Sequence, residues 1–337
     1  MWDRTLSVAQ AGGFNGQLIV ADAGQSHGAD VGRPGTGGPD WRWASVTKQL
    51  VAVLVMQQVD AGRLSLDTPI STYAPGLPVA NADKVTLRQL LQHTSGLPNI
   101  NESALDKTGT MPAVYVRGQP QPMVKAGRGI GLNAACTGPA RAEPGAGFAY
   151  NNCDSEVAGV VLETVTGKPL SELLQTQLFA PLGMTGARLL KAGEAAGRTG
   201  FLPDGKPDDF IDVGRYGAGG SAAGPPAAVV RFDQALMAGK LLSSASREEM
   251  WSGDPKLGFA ALHQWVYDVP LKGCAAPVKL VERRGSIGGV EIRNVIAPDL
   301  GLIVLALADR PVEFGEPWQG KGLTHDLLSA AFCGGMA

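Results

Sequence analysis

Trp41-Arg42-Trp43-Ala44-Ser45-Val46-Thr47-Lys48-Gln49-Leu50-Val51-Ala52-Val53-Leu54-Val55 decides how this chain is read. Before Ser45 the residues alternate aromatic with other types. After it, Leu50, Val51, Leu54, Val55 and Val59 recur at three- and four-residue spacing, which predicts a helix over 46–61 ended by Gly62. The run is apolar almost all round, so the helix is expected to be buried. Ser45 stands where an N-cap or first-turn residue belongs. Ser45 and Lys48, at i and i+3, then share one face. A serine hydroxyl needs a nearby base before it becomes a good nucleophile. A lysine serves once partial burial and a helix N-terminus lower its pKa. The helix start also offers the Ser45 N–H to a developing oxyanion. By itself this spacing is equally that of an N-cap serine followed by a solvated lysine.

Outward from this segment, residues 16–22 form a short β-rich run ending at Ala23-Gly24, and a Gly/Pro-rich loop spans 32–39. Short helices are expected at 85–92, with Thr86 near the start, and at 154–166, ended by Gly167. Residues 101–147 hold many Gly and Pro without a period and read as a loop excursion. A glycine-rich stretch at 217–224 precedes a helix at 227–238. Strands are expected at 257–266, 278–284, 289–297 and 302–308, with a turn at Asp299-Leu300-Gly301, and a closing helix at 323–332. Strands at both ends with helices between imply one sheet built from both termini. The expected division is a sheet domain of residues 1–70 and 215–337, with a mostly helical domain, 71–214, inserted.

Two further motifs raise the serine above the ordinary. Tyr150-Asn151-Asn152 offers a phenol that can shuttle protons and an amide that can bind a substrate carbonyl. Gly285-Ser286-Ile287-Gly288-Gly289 opens a late strand. Its glycines admit a substrate backbone to a strand edge, and the Gly289 N–H is a candidate oxyanion donor. Each has an ordinary reading as well, a packed tyrosine beside a turn asparagine and a turn or bulge.

In this order the motifs resemble the serine β-lactamase and penicillin-binding protein superfamily. The branch is that of class C β-lactamases, D-Ala-D-Ala carboxypeptidases and family VIII-type esterases. The resemblance extends through Gly62-Arg63-Leu64-Ser65-Leu66-Asp67-Thr68-Pro69-Ile70, Thr86-Leu87-Arg88-Gln89-Leu90-Leu91-Gln92-His93-Thr94-Ser95-Gly96-Leu97, Thr166-Gly167-Lys168-Pro169 and Pro181-Leu182-Gly183-Met184. It implies an α/β (α+β), β-lactamase/transpeptidase-like fold: an antiparallel sheet from both termini flanked by helices, the helical insertion, and the active site between them. It implies that Ser45 is acylated, that Lys48 and Tyr150 share proton transfer, and that Asn152 orients the substrate. The N–H groups of Ser45 and Gly289 would form the oxyanion hole, with Ser286 and Gly288 beside the substrate. No cofactor is implied.

One departure from the family pattern concerns the third motif, which usually begins with Lys or His. That position is read here as Ser286. Arg283, Arg284 and Arg293 are candidate replacements, on a strand whose alternation leaves open which faces the site. An uncharged third motif suits neutral esters or amides, so an esterase-like serine hydrolase is expected. The alternatives are a β-lactamase or D-Ala-D-Ala carboxypeptidase, and a non-catalytic ligand-binding protein on the same scaffold.

Composition agrees with an ordinary globular protein: 337 residues, 44% hydrophobic, 18% charged, formal net charge -2. Lys and Arg are scattered, so no nucleic-acid partner is expected, and the expected partner is a small-molecule or peptide-like substrate. No apolar run approaches the roughly 20 residues that span a bilayer, so stable membrane insertion is not expected. Met1-Trp2-Asp3-Arg4-Thr5 lacks the marks of a signal peptide. That fits a cytoplasmic protein, or a periplasmic or secreted one whose leader has been removed, and the resemblance favours the second. The four cysteines Cys136, Cys153, Cys274 and Cys333 allow three connectivities, Cys136–Cys153 with Cys274–Cys333 among them, or stay as buried thiols.

Other motifs are weaker. His93 reads as a hydrogen-bonded core histidine. Residues 315–322 miss the Ser or Thr of a phosphate-binding loop, because Gly322 follows Lys321. Gly127, Gly129 and Gly131 lack the preceding strand of a dinucleotide site. The His-Glu-x-x-His pair of a metal-assisted hydrolase does not occur.

Overall fold

In the computed structural model, residues 1–333 are described apart from 34, 110, 130 and 196. Residue 34 of the expected 32–39 loop, residues 110 and 130 of the 101–147 excursion, and residues 334–337 lie outside the described residues. Strands are β1 (Gly16–Ala21), β2 (Ser26–Val31), β3 (Trp41–Arg42), β4 (Met123–Val124), β5 (Leu132–Asn133), β6 (Arg188–Leu189), β7 (Ala222–Gly224), β8 (Trp265–Val269), β9 (Val278–Ile287), β10 (Val290–Ala297) and β11 (Leu302–Ala308). Helices are α1 (Trp2–Ala11), α2 (Thr47–Asp60), α3 (Leu87–Leu91), α4 (Asn152–Thr166), α5 (Leu170–Leu174), α6 (Gly217–Gly220), α7 (Pro226–Met237), α8 (Ser244–Met250) and α9 (Leu323–Phe332).

The main sheet has the order β2-β1-β11-β10-β9-β8, every described pairing antiparallel. Both chain ends therefore build it. Side-chain alternation sends Leu18, Val20, Val304 and Ala306 to a core with α1 and α9. Ile19, Ala21, Ile303, Leu305 and Leu307 face the opposite core, shared with α2, α4 and α7. Helices on both faces explain why these strands read as nearly continuous apolar runs. Residues 47–56 of α2 are all buried, in accord with its apolar circumference.

Local signals place the helix ends. Thr86 accepts from the Gln89 N–H and the Gln89 side chain accepts from the Thr86 N–H, a capping box. Gly167, at φ +69, ends α4 in the left-handed conformation that its missing Cβ permits. Both Cys136–Cys153 and Cys274–Cys333 are disulfide-bonded.

Two expectations change, and two elements carried no expectation. The strand expected at 257–266 begins only at Trp265. Phe259 (φ +65) and His263 (φ +58) have left-handed backbones that no extended run accommodates. Ser45 lies in a 3-10 turn, Ala44–Val46, that feeds α2, rather than capping it. The start of the chain forms α1, and a further strand, β2, adds a largely exposed edge whose polar sequence carried no apolar alternation. Among the described residues no helix is long and apolar enough to cross a membrane.

Candidate active site

Ser45 is held at the junction of sheet and helices. Ala44, just before it, has φ +48, an uncommon conformation for a residue with a Cβ and one often found at functional turns. Packing imposes it: Trp43 N–H donates to Ala222 O (2.8 Å), and Thr47 Oγ1 donates to Ala44 O (2.7 Å) while accepting from Ala222 N–H (3.0 Å). Gly285 of β9 lies against this turn. A Cβ there would stand 2.9 Å from Trp43 O and 3.4 Å from Ser45 N, so glycine is what lets the strand approach.

Ser45, Lys48, Tyr150 and Asn152 are brought together. The Ser45 and Tyr150 hydroxyls are 2.7 Å apart. Lys48 Nζ lies 3.2 Å from Ser45 Oγ and donates to Asn152 Oδ1 (2.8 Å) and to Gly219 O (2.6 Å). Two N–H bonds are thus committed to fixed acceptors, and the third position on nitrogen faces the serine. Asn152 starts α4, directly after its N-cap Asn151, whose side chain accepts from the Cys153 N–H. The Asn152 amide is also committed at its nitrogen, which donates to Asn101 Oδ1 (3.0 Å).

Arg283 is also at this centre. Its Nη2 donates to Tyr150 Oη (2.7 Å), its Nε to Ser45 O (2.7 Å), and its Nη1 to His263 O (2.9 Å). Of the three arginines left open by the sequence, the β9 register thus turns this one toward the serine. The frame of the third motif is Arg283-Arg284-Gly285, so Ser286 is not its first residue. Ser286 is exposed, lines the cleft with Ser45 and pairs with Glu291 across β9–β10. Gly288 (φ +59) forms the two-residue turn to β10 with Gly289. Gly289 is placed away from the serine: its N–H donates to Asp208 Oδ2 (2.8 Å), a buried carboxylate paired with Arg42.

The edge of β9 explains which N–H groups are open. β8 pairs with β9 only as far as Trp265↔Glu282, leaving residues 283–287 without a neighbour on that side. Ladder bonds alternate in an antiparallel pair, and Ile287 and Val290 flank the turn, so the Ser286 N–H points away from β10 toward the open edge.

Electrostatics follow from this burial. Desolvation pushes the Lys48 ammonium down from its ordinary range and the Arg283 charge adds to that, against the opposing pull of Tyr150. Burial alone would raise the Tyr150 phenol, but the Arg283 and Lys48 charges and the Ser45 hydrogen bond outweigh it and bring it down to about 7. His93 is buried against Tyr150, bonded to Asp154 (3.2 Å), and desolvation with His263 nearby pushes it well below 6.5, so it is a neutral core group.

His263, Trp265 and Gly219 contribute to the site without a sequence signal. Trp265 stacks on Tyr150 and its ring lies within 5.5 Å of both Arg283 and Arg284. Arg283 was within reach of the sequence: reading the motif from the glycine that touches the serine turn, Gly285, sets the frame.

The sequence profile of the Beta-lactamase family matches residues 3–316. "Putative penicillin-binding protein PbpX" of Bacillus subtilis (strain 168) is 28% identical over 213 residues, 62% of this chain and 49% of that protein. "Esterase EstB" of Burkholderia gladioli is 30% identical over 178 residues, 50% of this chain and 43% of that protein. This chain thus spans less than half the length of either relative. Among solved structures, a D-stereospecific amidohydrolase from Streptomyces sp. superposes with a TM-score of 0.75 at 21% identity, over 99% of both chains, which is a likeness of fold.

Proposed function

The chain belongs to the Beta-lactamase family, and on that premise we propose that it is a serine hydrolase that cleaves esters or amides through a Ser45 acyl-enzyme. One observation carries this reading: the Tyr150 hydroxyl lies 2.7 Å from both Ser45 Oγ and Arg283 Nη2. A phenol near neutral pKa at hydrogen-bond distance from a hydroxyl is a matched general base. Ser45 Oγ attacks the carbonyl carbon as its proton passes to the Tyr150 oxygen. That proton then goes to the leaving group. Water reverses the sequence, giving a proton to Tyr150 and releasing the acid from Ser45. Lys48 orients both oxygens and stabilises the phenolate. The N–H groups of Ser45 and Ser286 take the oxyanion role, because the Gly289 N–H is committed to Asp208.

We read the site as favouring neutral substrates over carboxylates. Arg283 spends three of its N–H donors on protein acceptors, and Arg284 and Arg293 are paired with Glu282 and Glu316. An esterase-like role is therefore preferred over a β-lactamase or D-Ala-D-Ala carboxypeptidase, whose substrates carry a carboxylate. We treat residues 1–70 with 215–337 and residues 71–214 as the two domains flanking this cleft. A periplasmic or secreted location is proposed too, supported by the two disulfides.

The test is turnover of p-nitrophenyl acetate, with mass spectrometry of fluorophosphonate-labelled protein. Label on the Ser45 peptide and loss of turnover in Ser45→Ala support the reading. Full activity in Ser45→Ala sinks it, and absence of both turnover and label returns the chain to a binding protein.

A further inference from the structure

One face of α4 carries more of the site than Asn152. Asn152, Glu156 and Gly159 stand at i, i+4 and i+7 and so share that face. It meets α6. A Cβ on Gly159 would stand 3.0 Å from the Ala218 Cβ, and a Cβ on Gly217 (φ +47) would stand 2.5 Å from Glu156 Oε1 and 2.7 Å from Oε2. Glycine at both positions is what lets the two helices close on the carboxyl. The first N–H groups of a helix have no partner within it. Here the Gly219 and Ala218 N–H groups bond to the Glu156 carboxyl. The carbonyl of the same Gly219 accepts from Lys48 Nζ at 2.6 Å, and Asn152 Oδ1 accepts from it at 2.8 Å. Both fixed acceptors of Lys48 thus trace back to one face of α4, Asn152 directly and Glu156 through Gly219.

Resting on the serine-hydrolase reading, we propose that Glu156 is a positioning residue for the reaction: its carboxyl ties down the first turn of α6, so that the Gly219 carbonyl holds Lys48 Nζ against Ser45. The charged groups around Glu156 are Lys48 of α2, Glu163 two turns on along α4, and Lys191 and Arg215, which line a cavity of about 400 Å³ with it. Arg215 is itself paired with Asp212. Burial raises the Glu156 carboxyl to about 8 from 4.5, with the Gly219 N–H and the Lys48 charge opposing. The acid is therefore mostly protonated at neutral pH, where a glutamine amide of the same shape offers the same acceptor oxygen to the α6 backbone.

The experiment follows p-nitrophenyl acetate hydrolysis across pH for the native protein, Glu156→Leu, Glu156→Asp and Glu156→Gln, with a thermal melt of each. Glu156→Leu offers no acceptor and is expected to lose about 10²-fold in kcat/KM. Against burial, the Arg283 and Lys48 charges hold the Tyr150 phenol down to about 7, so loosening Lys48 should also move the acid limb of the profile up. Glu156→Asp draws the acid back by one methylene and should lose about tenfold, with the limb moving the same way. Glu156→Gln keeps the acceptor oxygen and should stay within about threefold of native with the limb unmoved. A folded Glu156→Leu with native kcat/KM, a loss in it without a limb shift, or a Glu156→Gln that loses as much as Glu156→Leu overturns the proposal. Where Glu156→Leu does not fold, native kcat/KM and an unmoved limb in Glu156→Asp overturn it. Turnover that survives Ser45→Ala, or no turnover by the native protein, instead overturns the serine-hydrolase reading beneath it.

Discussion

Arg283 donates to the Tyr150 hydroxyl at 2.7 Å while its Nε holds the carbonyl of Ser45, also at 2.7 Å. One guanidinium thus holds the Tyr150 oxygen and anchors the backbone of Ser45. An arginine is suited to this double duty because its planar fork offers several donors in fixed directions.

The first prediction concerns pH. In the proposed mechanism the phenolate is the active form, so kcat/KM for a neutral ester is expected to rise with pH through about 7. Arg283→Met removes a cation that stabilises that phenolate. The acid limb should then move up by about one pH unit or more. A pH–rate profile of both proteins checks it, and an unmoved limb would separate Tyr150 from the base role. Tyr150→Phe is expected to cost about 10²-fold or more in kcat/KM.

Gly285→Ala tests the close approach of β9. The new Cβ would stand 2.9 Å from Trp43 O and 3.1 Å from the Ala44 Cβ, so strand and turn must separate. A displacement of that order at the reacting atoms costs about 10²-fold in kcat/KM. Steady-state kinetics should show this loss with the melting temperature little changed.

Asp233 gives a stability prediction away from the cleft. It is fully buried in α7, with the side-chain amides of Asn294 and Gln49 as its polar neighbours. Burial pushes its pKa up to about 8 from 3.8, although Asn294 and Gln49 oppose it. The unfolded chain releases this proton near its ordinary carboxyl range, and the folded one only near 8. Stability from this group is therefore full below the ordinary range and falls as pH rises toward about 8. Asp233→Asn should melt higher than the native protein at alkaline pH, with the gain vanishing in acid. Thermal melts across that range decide it.

The Cys136–Cys153 bond closes a separation of 17 residues and ends on α4 beside Asn152. Replacing both cysteines with serine is expected to lower unfolding free energy by about 3 kcal/mol, as for other loops of this size. Urea titration measures it. A free-thiol assay on the denatured native protein should find none.

Much of the scaffold was legible. Both ends of the sheet, α2, α4, α7 and α9 stood out because repeated apolar spacing reports a buried face directly. The run at 257–266 misled, since left-handed backbone at Phe259 and His263 leaves no mark in hydrophobicity. β2 was silent because an exposed edge strand has no apolar face to display. At the site, Ser45, Lys48, Tyr150 and Asn152 were nominated by motif. Trp265 and His263 were not, because they enter by contacts with residues distant in sequence.

The sequence by itself determined that a serine and a lysine share one turn, because i,i+3 spacing is local geometry. It also determined the alternation that makes both ends of the chain into strands. Only the tertiary structure decided which of Arg283, Arg284 and Arg293 faces the serine. A strand's period of two says that neighbours point apart but not which one meets the site. That choice follows from the register of β9 against β10 and from where β8 stops, both set by contacts between distant residues.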